Sequence, residues 1–326
     1  MPDLLELPRL DVGATVDADL LVLDVNRRDH QNGAYTVLTL GNATGRLQSA
    51  PFWSNRETEV AGIAKGSVVH VVGKVSSFRD AKQVEVKDIR PLLADTVDWS
   101  SLLPSVGNVQ PYWERLDALR TGITAPRLRA VLDLFYLDDE FRQRFEQCPA
   151  ATAGHHAELG GLLRHTWEVA YLGRSIAKVY RRADADLVVA GAMLHDIGKL
   201  ESYRWSGAFE ITEAGSLIGH VALGMLMLER RLQETEPAPC TPTERLILQH
   251  LIASHHGRLE HGATAVPMTL EAEILHFADN TSAKAESMTT ALGSDELFQG
   301  DALVSARGHW TLDNRKVFRG SSDWGR

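Results

Sequence analysis

Apolar and polar residues alternate, in the manner of strands, over residues 12–93. VDADLLVLDVNRR alternates loosely and AYTVLTL more plainly; RLQSAPFW, SVVHVVGKVSSF and KQVEVKDIRPL complete five predicted strands. GNATG and RDA read as turns, and ETEVAGIAKG as a short helical or irregular connection. Five short strands with a small helix before the fourth predict a barrel of the OB type, with a plain β-meander as the alternative. Residues 94–112 lose the periodicity and carry Pro104 and Pro111, which predicts a linker.

From Trp113 the apolar spacing becomes helical. TAPRLRAVLDLFYL has Thr124 as candidate N-cap and Pro126 near the first turn. GGLLRHTWEVAYLGRSIAKVY repeats Leu162, Val169, Leu172 and Ile176, and SLIGHVALGMLMLERRL predicts a helix from Ser216. Thr241, Pro242 and Glu244 form a capping box with a proline start. Thr269 is the expected cap of TLEAEILHFADNTSAKAESM, and GHWTLDNRKVF looks extended. The apolar run Leu187–Leu194 is far short of the ~20 residues a membrane span needs, so it predicts a buried helix.

A chain of 326 residues points to two domains. Hydrophobic residues at 44% and charged residues at 24% exclude a collagen, a coiled coil and a mainly disordered chain. A net charge of −9 counts against a broad duplex-binding face, though not against a narrow groove for a single strand. MPDLLELPRLD has no basic segment leading into an apolar core, and Cys148 and Cys240 form no CxxC. Both features fit a cytoplasmic protein without a disulfide scaffold or thiolate zinc site. Histidine changes the picture most: of 13, ten fall between His155 and His276. His165, the adjacent pair His195 and Asp196, His220, His255 with His256, and Asp279 sit on separate predicted helices or helix ends. A helical domain can gather such residues into a metal site. Any one of them alone reads as a hydrogen-bonded core residue or a surface carboxylate; the joint pattern points to metal.

The order H…HD…D with HDIGK resembles the signature of the HD-domain phosphohydrolase superfamily. His220 and His255 resemble additional ligands of its two-metal members. The chain is most similar to the YhaM-type 3′–5′ exoribonucleases, which join an N-terminal OB domain to a C-terminal HD domain. TLGNATGRLQSAPFW, LLPS, HHAELGGLLRHT, LHDIGK, LIGH, ASHHG, ADN and LDNRKVF carry the likeness, which covers nearly the whole chain. It implies an OB-fold nucleic-acid-binding domain over 1–93, a linker over 94–112, and an all-α HD-type domain over 113–326 with a short extended C-terminal segment.

It further implies one metal on His165, His195, Asp196 and Asp279, and a second on His220 and His255 with Asp196 bridging. His256 is then a neighbouring or substrate-facing residue. Two divalent ions are expected, Mn2+ foremost, with Fe2+, Co2+ or Zn2+ as alternatives that ligand type does not separate. The implied reaction is phosphodiester hydrolysis by a hydroxide that the metals activate, with Asp196 and Lys199 in catalytic positions, Lys199 on a phosphate oxygen. His155 and His156 are candidate substrate contacts. In the barrel Tyr35, Phe52, Trp53 and Phe78 are candidate base-stacking residues, and Arg27, Arg28, Arg46, Lys74, Arg79 and Lys82 candidate phosphate contacts. The implied substrate is single-stranded RNA, with single-stranded DNA as a second candidate. Two other readings stay open: a nucleotide or cyclic-dinucleotide phosphohydrolase, and a non-catalytic nucleic-acid-binding protein with a structural metal.

Overall fold

The structure, a computed structural model, describes residues 5–29, 33–78, 81–93, 96–205, 208–294, 297–321 and 324. The chain divides into two compact units, residues 1–107 with 205–209, and residues 108–204 with 210–326.

In the first unit β1 (Thr15–Arg28), β2 (Tyr35–Asn42), β3 (Gly45–Ser49), β4 (Phe52–Trp53), β5 (Val68–Phe78) and β6 (Ala81–Leu92) make one sheet. β1 is long enough to serve two neighbours. Thr15 to Leu21 pair with β5, and Leu21 to Arg28 pair with β2. An irregularity between Val22 and Asp24 bends the strand between those roles. β2 pairs with β3, β3 runs parallel to β6, and β6 returns to β5. The five strands β1, β2, β3, β6 and β5 therefore close on themselves, which is the OB-type barrel that the alternation predicts. Leu20, Val22, Leu38, Leu40, Val69, Val71 and Val84 fill its interior.

The predicted strand RLQSAPFW is broken in two. Ala50 N–H still donates to the Val84 carbonyl, at 2.7 Å, but Pro51 has no N–H to continue the ladder. β4 instead folds back onto β2. GNATG also shrinks: Asn42 and Gly45 belong to strands, and Asn42 Oδ1 accepts the Thr44 backbone N–H, at 2.9 Å, across the turn. Arg79 and most of the RDA turn lie outside the described residues. A short helix, α1 (Trp99–Leu102), occupies part of the segment expected to be a linker, and α2 (Gln110–Thr121) begins inside it.

The second unit continues with α3 (Pro126–Tyr136), α4 (Asp139–Phe145), α5 (Gly161–Ala177), α6 (Ala185–Leu194) and α7 (Lys199–Ser202). A small ladder of β7 (Tyr203–Arg204) and β8 (Glu210–Ile211) precedes α8 (Glu213–Leu217), α9 (His220–Gln233), α10 (Pro242–Ser254) and α11 (Leu270–Leu292). The caps at Thr241 and Thr269 form as predicted, with the full capping box at α10. Thr124 is not a cap: Ala125 takes that position, and the Thr124 hydroxyl donates to Asp186, at 2.7 Å. The helix predicted from Ser216 is interrupted at Gly219 and restarts at His220. The C-terminal segment is not a continuous strand either. Asp313 and Asn314 adopt φ of 55° and 56° and turn it back, leaving isolated bridges between Val304 and Phe318 and between His309 and Arg315.

Helix α6 is buried along most of its length, as its apolar run predicts. Glycines let its neighbours approach: a Cβ at Gly191 would lie 2.8 Å from Leu251 on α10, and one at Gly173 would lie 2.8 Å from Val188 on α6. No helix of the described residues is long and apolar enough to cross a membrane.

Candidate metal centre

The packing of α5, α6, α9, α10 and α11 brings together the residues that the sequence leaves scattered. His165 projects from the first turns of α5, and His195 ends α6 with Asp196 in the turn that follows. His220 opens α9, His255 ends α10, and Asp279 lies on α11. His165 Nε2 is 3.0 Å from Asp279 Oδ1 and 3.6 Å from Asp196 Oδ2. His195 Nε2 is 3.1 Å from Asp196 Oδ2. The other oxygen of Asp196 faces a second group: His220 Nε2 at 3.4 Å and His255 Nε2 at 3.7 Å. His256 belongs to this group, with its Nε2 3.0 Å from that of His220.

Hydrogen bonding fixes the ring tautomers. His195 Nδ1 faces the Ala192 carbonyl at 2.7 Å, and His255 Nδ1 faces the Ile252 carbonyl at 2.8 Å. A carbonyl only accepts, so both Nδ1 atoms carry a proton and Nε2 is the atom that each ring can offer to a cation. His165 follows one step removed: Ser282 donates to Glu168, at 2.7 Å, so its oxygen is left to accept from His165 Nδ1, at 2.9 Å. Three Nε2 atoms, those of His165, His195 and His255, therefore point at carboxylate oxygens. Asp196 Oδ1 is buried and without a hydrogen-bond partner. Such an arrangement of acceptors is relieved by cations, and imidazole and carboxylate donors without thiolate suit divalent ions. The described residues fit the implied cofactor on those grounds.

Electrostatics divides the rings. Burial opposes charge on His195, but Asp196 and Asp279 more than offset it and raise its pKa, so this ring would give up a proton on ligating a cation. Burial, joined by the charge on neighbouring histidines, pushes His255 and His256 down to about 3. Burial takes His220 to about 3 as well, against the pull of Asp196. These rings are neutral and able to ligate. Burial opposes charge on Asp196 and Asp279, but His195 and Lys199 beside the first and His165 beside the second hold both carboxyls well below their usual range. Lys199 Nζ lies 2.5 Å from Asp196 Oδ2. Burial disfavours its charge, and Asp196 more than restores it, so the ammonium is held above its usual range.

The cluster opens into a cleft of about 940 Å3 whose lining includes His155, Asp196, Lys199, His256 and Asp279. The sequence-based substrate candidates separate here. His155 lines the cleft, and burial lowers it to about 4. His156 does not serve as a substrate contact: it is 2% exposed, and its Nε2 donates to Glu168 at 3.1 Å. Its backbone adopts a φ of 50°, and its ring meets that of His165 with centroids 5.2 Å apart. Phe52 is likewise corrected, since at 2% exposure it belongs to the barrel core and has no face for a base. Tyr35 and Trp53 are half-buried with ring centroids 4.9 Å apart, and Phe78 is exposed. Arg28, Tyr35 and Trp53 are directly opposite one another across β1, β2 and β4. Arg27, Arg46, Lys74 and Lys82 are exposed, Arg27 pairing with Glu57 and Lys82 with the Leu10 carbonyl.

The sequence pattern did not single out Glu168 and Ser282, which brace His165. The signal present was spacing: each lies one helical turn after a candidate ligand, Glu168 after His165 and Ser282 after Asp279.

A barrel followed by a helical unit with this His/Asp cluster defines an HD-domain protein, and residues 162–284 match the family model described as the HD domain. The chain belongs to the YhaM family. It is 32% identical over 290 residues to the 3′-5′ exoribonuclease YhaM of Bacillus pumilus, covering 86% of this chain and 89% of that protein. The protein of that name from Shouchella clausii is 32% identical over 323 residues, with 95% of each chain covered. That of Geobacillus sp. is 30% identical over 314 residues, covering 95% of this chain and 93% of the relative.

Proposed function

We propose that this chain is a metal-dependent 3′–5′ exoribonuclease that hydrolyses the phosphodiester bonds of single-stranded RNA, with single-stranded DNA as a second substrate. The observation that carries this reading is Asp196, whose two oxygens face two separate histidine groups while one of them is buried without a partner. His165, His195 and Asp279 would hold one ion with Asp196 Oδ2, and His220, His255 and His256 a second with Oδ1. His256 thus moves from substrate contact to ligand. Divalent ions so held, Mn2+ foremost, lower the pKa of a water and neutralise charge on the reacting phosphate.

The chain's own groups have narrower duties. Lys199 stays protonated and cannot act as a base; it neutralises Asp196, and from its place in the cleft lining it can meet a phosphate oxygen. His155, neutral above about pH 4, is placed to hydrogen-bond a substrate oxygen. The row Arg28, Tyr35 and Trp53 offers the barrel one cation and two rings for a single strand. The 3′-5′ exoribonuclease activity for which the relatives are named supports the polarity.

The test is end-labelled RNA. A 5′ label should give a ladder of progressively shorter fragments, and a 3′ label should give mononucleotide at once. Internal cuts, or first release of the 5′ nucleotide, would contradict the polarity. Hydrolysis of free nucleotides in preference to RNA would move the small-nucleotide reading ahead.

A further inference from the structure

The cleft wall contributed by α11 has an informative register. Glu273, Phe277, Asn280 and Lys284 recur at intervals of four, three and four, which sets them in one stripe along the helix, and all four line the cleft. The adjacent stripe is already committed. Asp279 belongs to the metal cluster, and His276 Nδ1–H donates to the His255 carbonyl at 2.9 Å. The His276 ring is wedged under Gly257, where a Cβ would come within 2.3 Å of it.

Phe277 is less committed. It is 51% exposed, its ring centroid lies 5.2 Å from that of His276, and it stands two residues before the candidate ligand Asp279. The cleft lining balances Lys199, Arg258, Lys284 and Arg315 against Asp196, Glu273, Asp279 and Asp313, although the chain as a whole is acidic. Lys284 is tied to the Thr311 carbonyl at 2.9 Å and to Asp313 at 3.0 Å. Among the described residues Arg258 and Arg315 have acidic neighbours at 3.8 Å and are 70% and 61% exposed, and Arg315 Nε donates to the Leu312 carbonyl at 3.0 Å. An exposed aromatic ring and exposed guanidinium groups lining one cleft with the candidate metal centre match the chemistry of a nucleotide. The base takes the ring and the phosphates take the cations.

We infer that Phe277 is the stacking platform for the 3′-terminal base, with Arg258 and Arg315 receiving the phosphates on its 5′ side. The inference rests on the exoribonuclease reading and deepens it. Every base has a π face, so such a platform accepts any nucleotide and suits degradation without sequence preference.

The experiment compares kcat/KM for a short single-stranded RNA with that for the same RNA carrying an abasic 3′-terminal residue. One stacked base should give the wild-type holoenzyme a preference of about five- to 150-fold for the intact end. In Phe277→Ala the preference should fall below about twofold, chiefly through KM, with the metal content of the wild type. Phe277→Leu, which keeps apolar bulk without a π face, should lose it as well, and Phe277→Trp should restore it. Wild type that degrades RNA with no preference, or either Ala or Leu variant that keeps it, overturns the platform and leaves the exoribonuclease reading intact. Wild type that degrades neither RNA overturns both.

Discussion

At the scale of single residues the centre is a problem of protons. Asp196 turns its two oxygens to two histidine groups, and Lys199 and His195 lie 2.5 Å and 3.1 Å from Oδ2, leaving Oδ1 without a hydrogen-bond donor. Asp196→Ala should therefore bring RNA hydrolysis to background and lower bound metal while the protein stays folded. Elemental analysis with circular dichroism on the purified variant checks this; unchanged metal content with full activity would remove the shared-carboxylate arrangement. One layer out, Glu168 accepts from His156, Ser282 and Arg164, and through Ser282 it fixes the His165 tautomer. Glu168→Gln should weaken metal binding about 10–100-fold, the usual cost of losing such a support. The same carboxylate sets a pH signature. Burial favours its neutral form, but His156, Ser282 and Arg164 together bring it down to about 2. A depressed folded-state pKa contributes stability that is complete above the unfolded value of about 4.3 and is lost as pH falls toward 2. The Tm gap between metal-free wild type and Glu168→Gln should be constant above about pH 5 and narrow below it. A gap that does not change between pH 5 and pH 2.5 would deny Glu168 that role.

At the scale of elements, position is decided by breaks as much as by helices. Gly219, at φ 80° and ψ 152°, occupies a region that essentially only glycine reaches, and the break it makes renders His220 the first residue of α9. Gly219→Ala should cost about 1–3 kcal/mol of stability and weaken the ion held by His220 more than the one held by His165, readable by titrating metal into the metal-free variant. That break was hidden in the sequence because Leu217 and Ile218 continue the apolar run across it, and a lone glycine in a helical pattern carries little signal. Phe52 was hidden for a related reason. Leu47 and Ser49 face inward, so unbroken alternation would turn position 52 outward; the interruption at Pro51 reverses the parity, burying Phe52 and leaving Trp53 half-exposed. The candidate ligands were legible by contrast because each side chain carries its chemistry by type, and capped, strongly periodic helices fix where it sits. What helix spacing alone left unresolved was the role of the adjacent pair His255 and His256, since the chain turns just past α10 and brings both toward His220.

At the scale of the molecule, the acidity of the chain and the chemistry of its substrate are reconciled by separation. A net charge of −9 does not describe the cleft, where Arg258, Lys284 and Arg315 with Lys199 balance the carboxylates of the lining, nor the barrel, where Arg27, Arg28, Arg46, Lys74 and Lys82 are exposed among acidic residues. Every candidate ligand follows residue 160, and every candidate barrel contact precedes residue 95. If the barrel holds the strand, a shortened chain beginning at Asn108 should keep its metal and still hydrolyse a small activated phosphodiester. It should lose most of its affinity for long single-stranded RNA. The salt dependence distinguishes lost phosphate contacts from a damaged site. Each phosphate contact lowers affinity by about 0.7 log units per tenfold rise in salt, so the full chain should show a steeper slope than the shortened one. A shortened chain that loses affinity with an unchanged slope would mean that stacking alone was removed. One that binds and degrades long RNA as well as the full chain, with the same slope, would mean that the barrel serves a partner or the fold rather than the substrate, and that Phe277 and the cleft cations suffice to hold the strand.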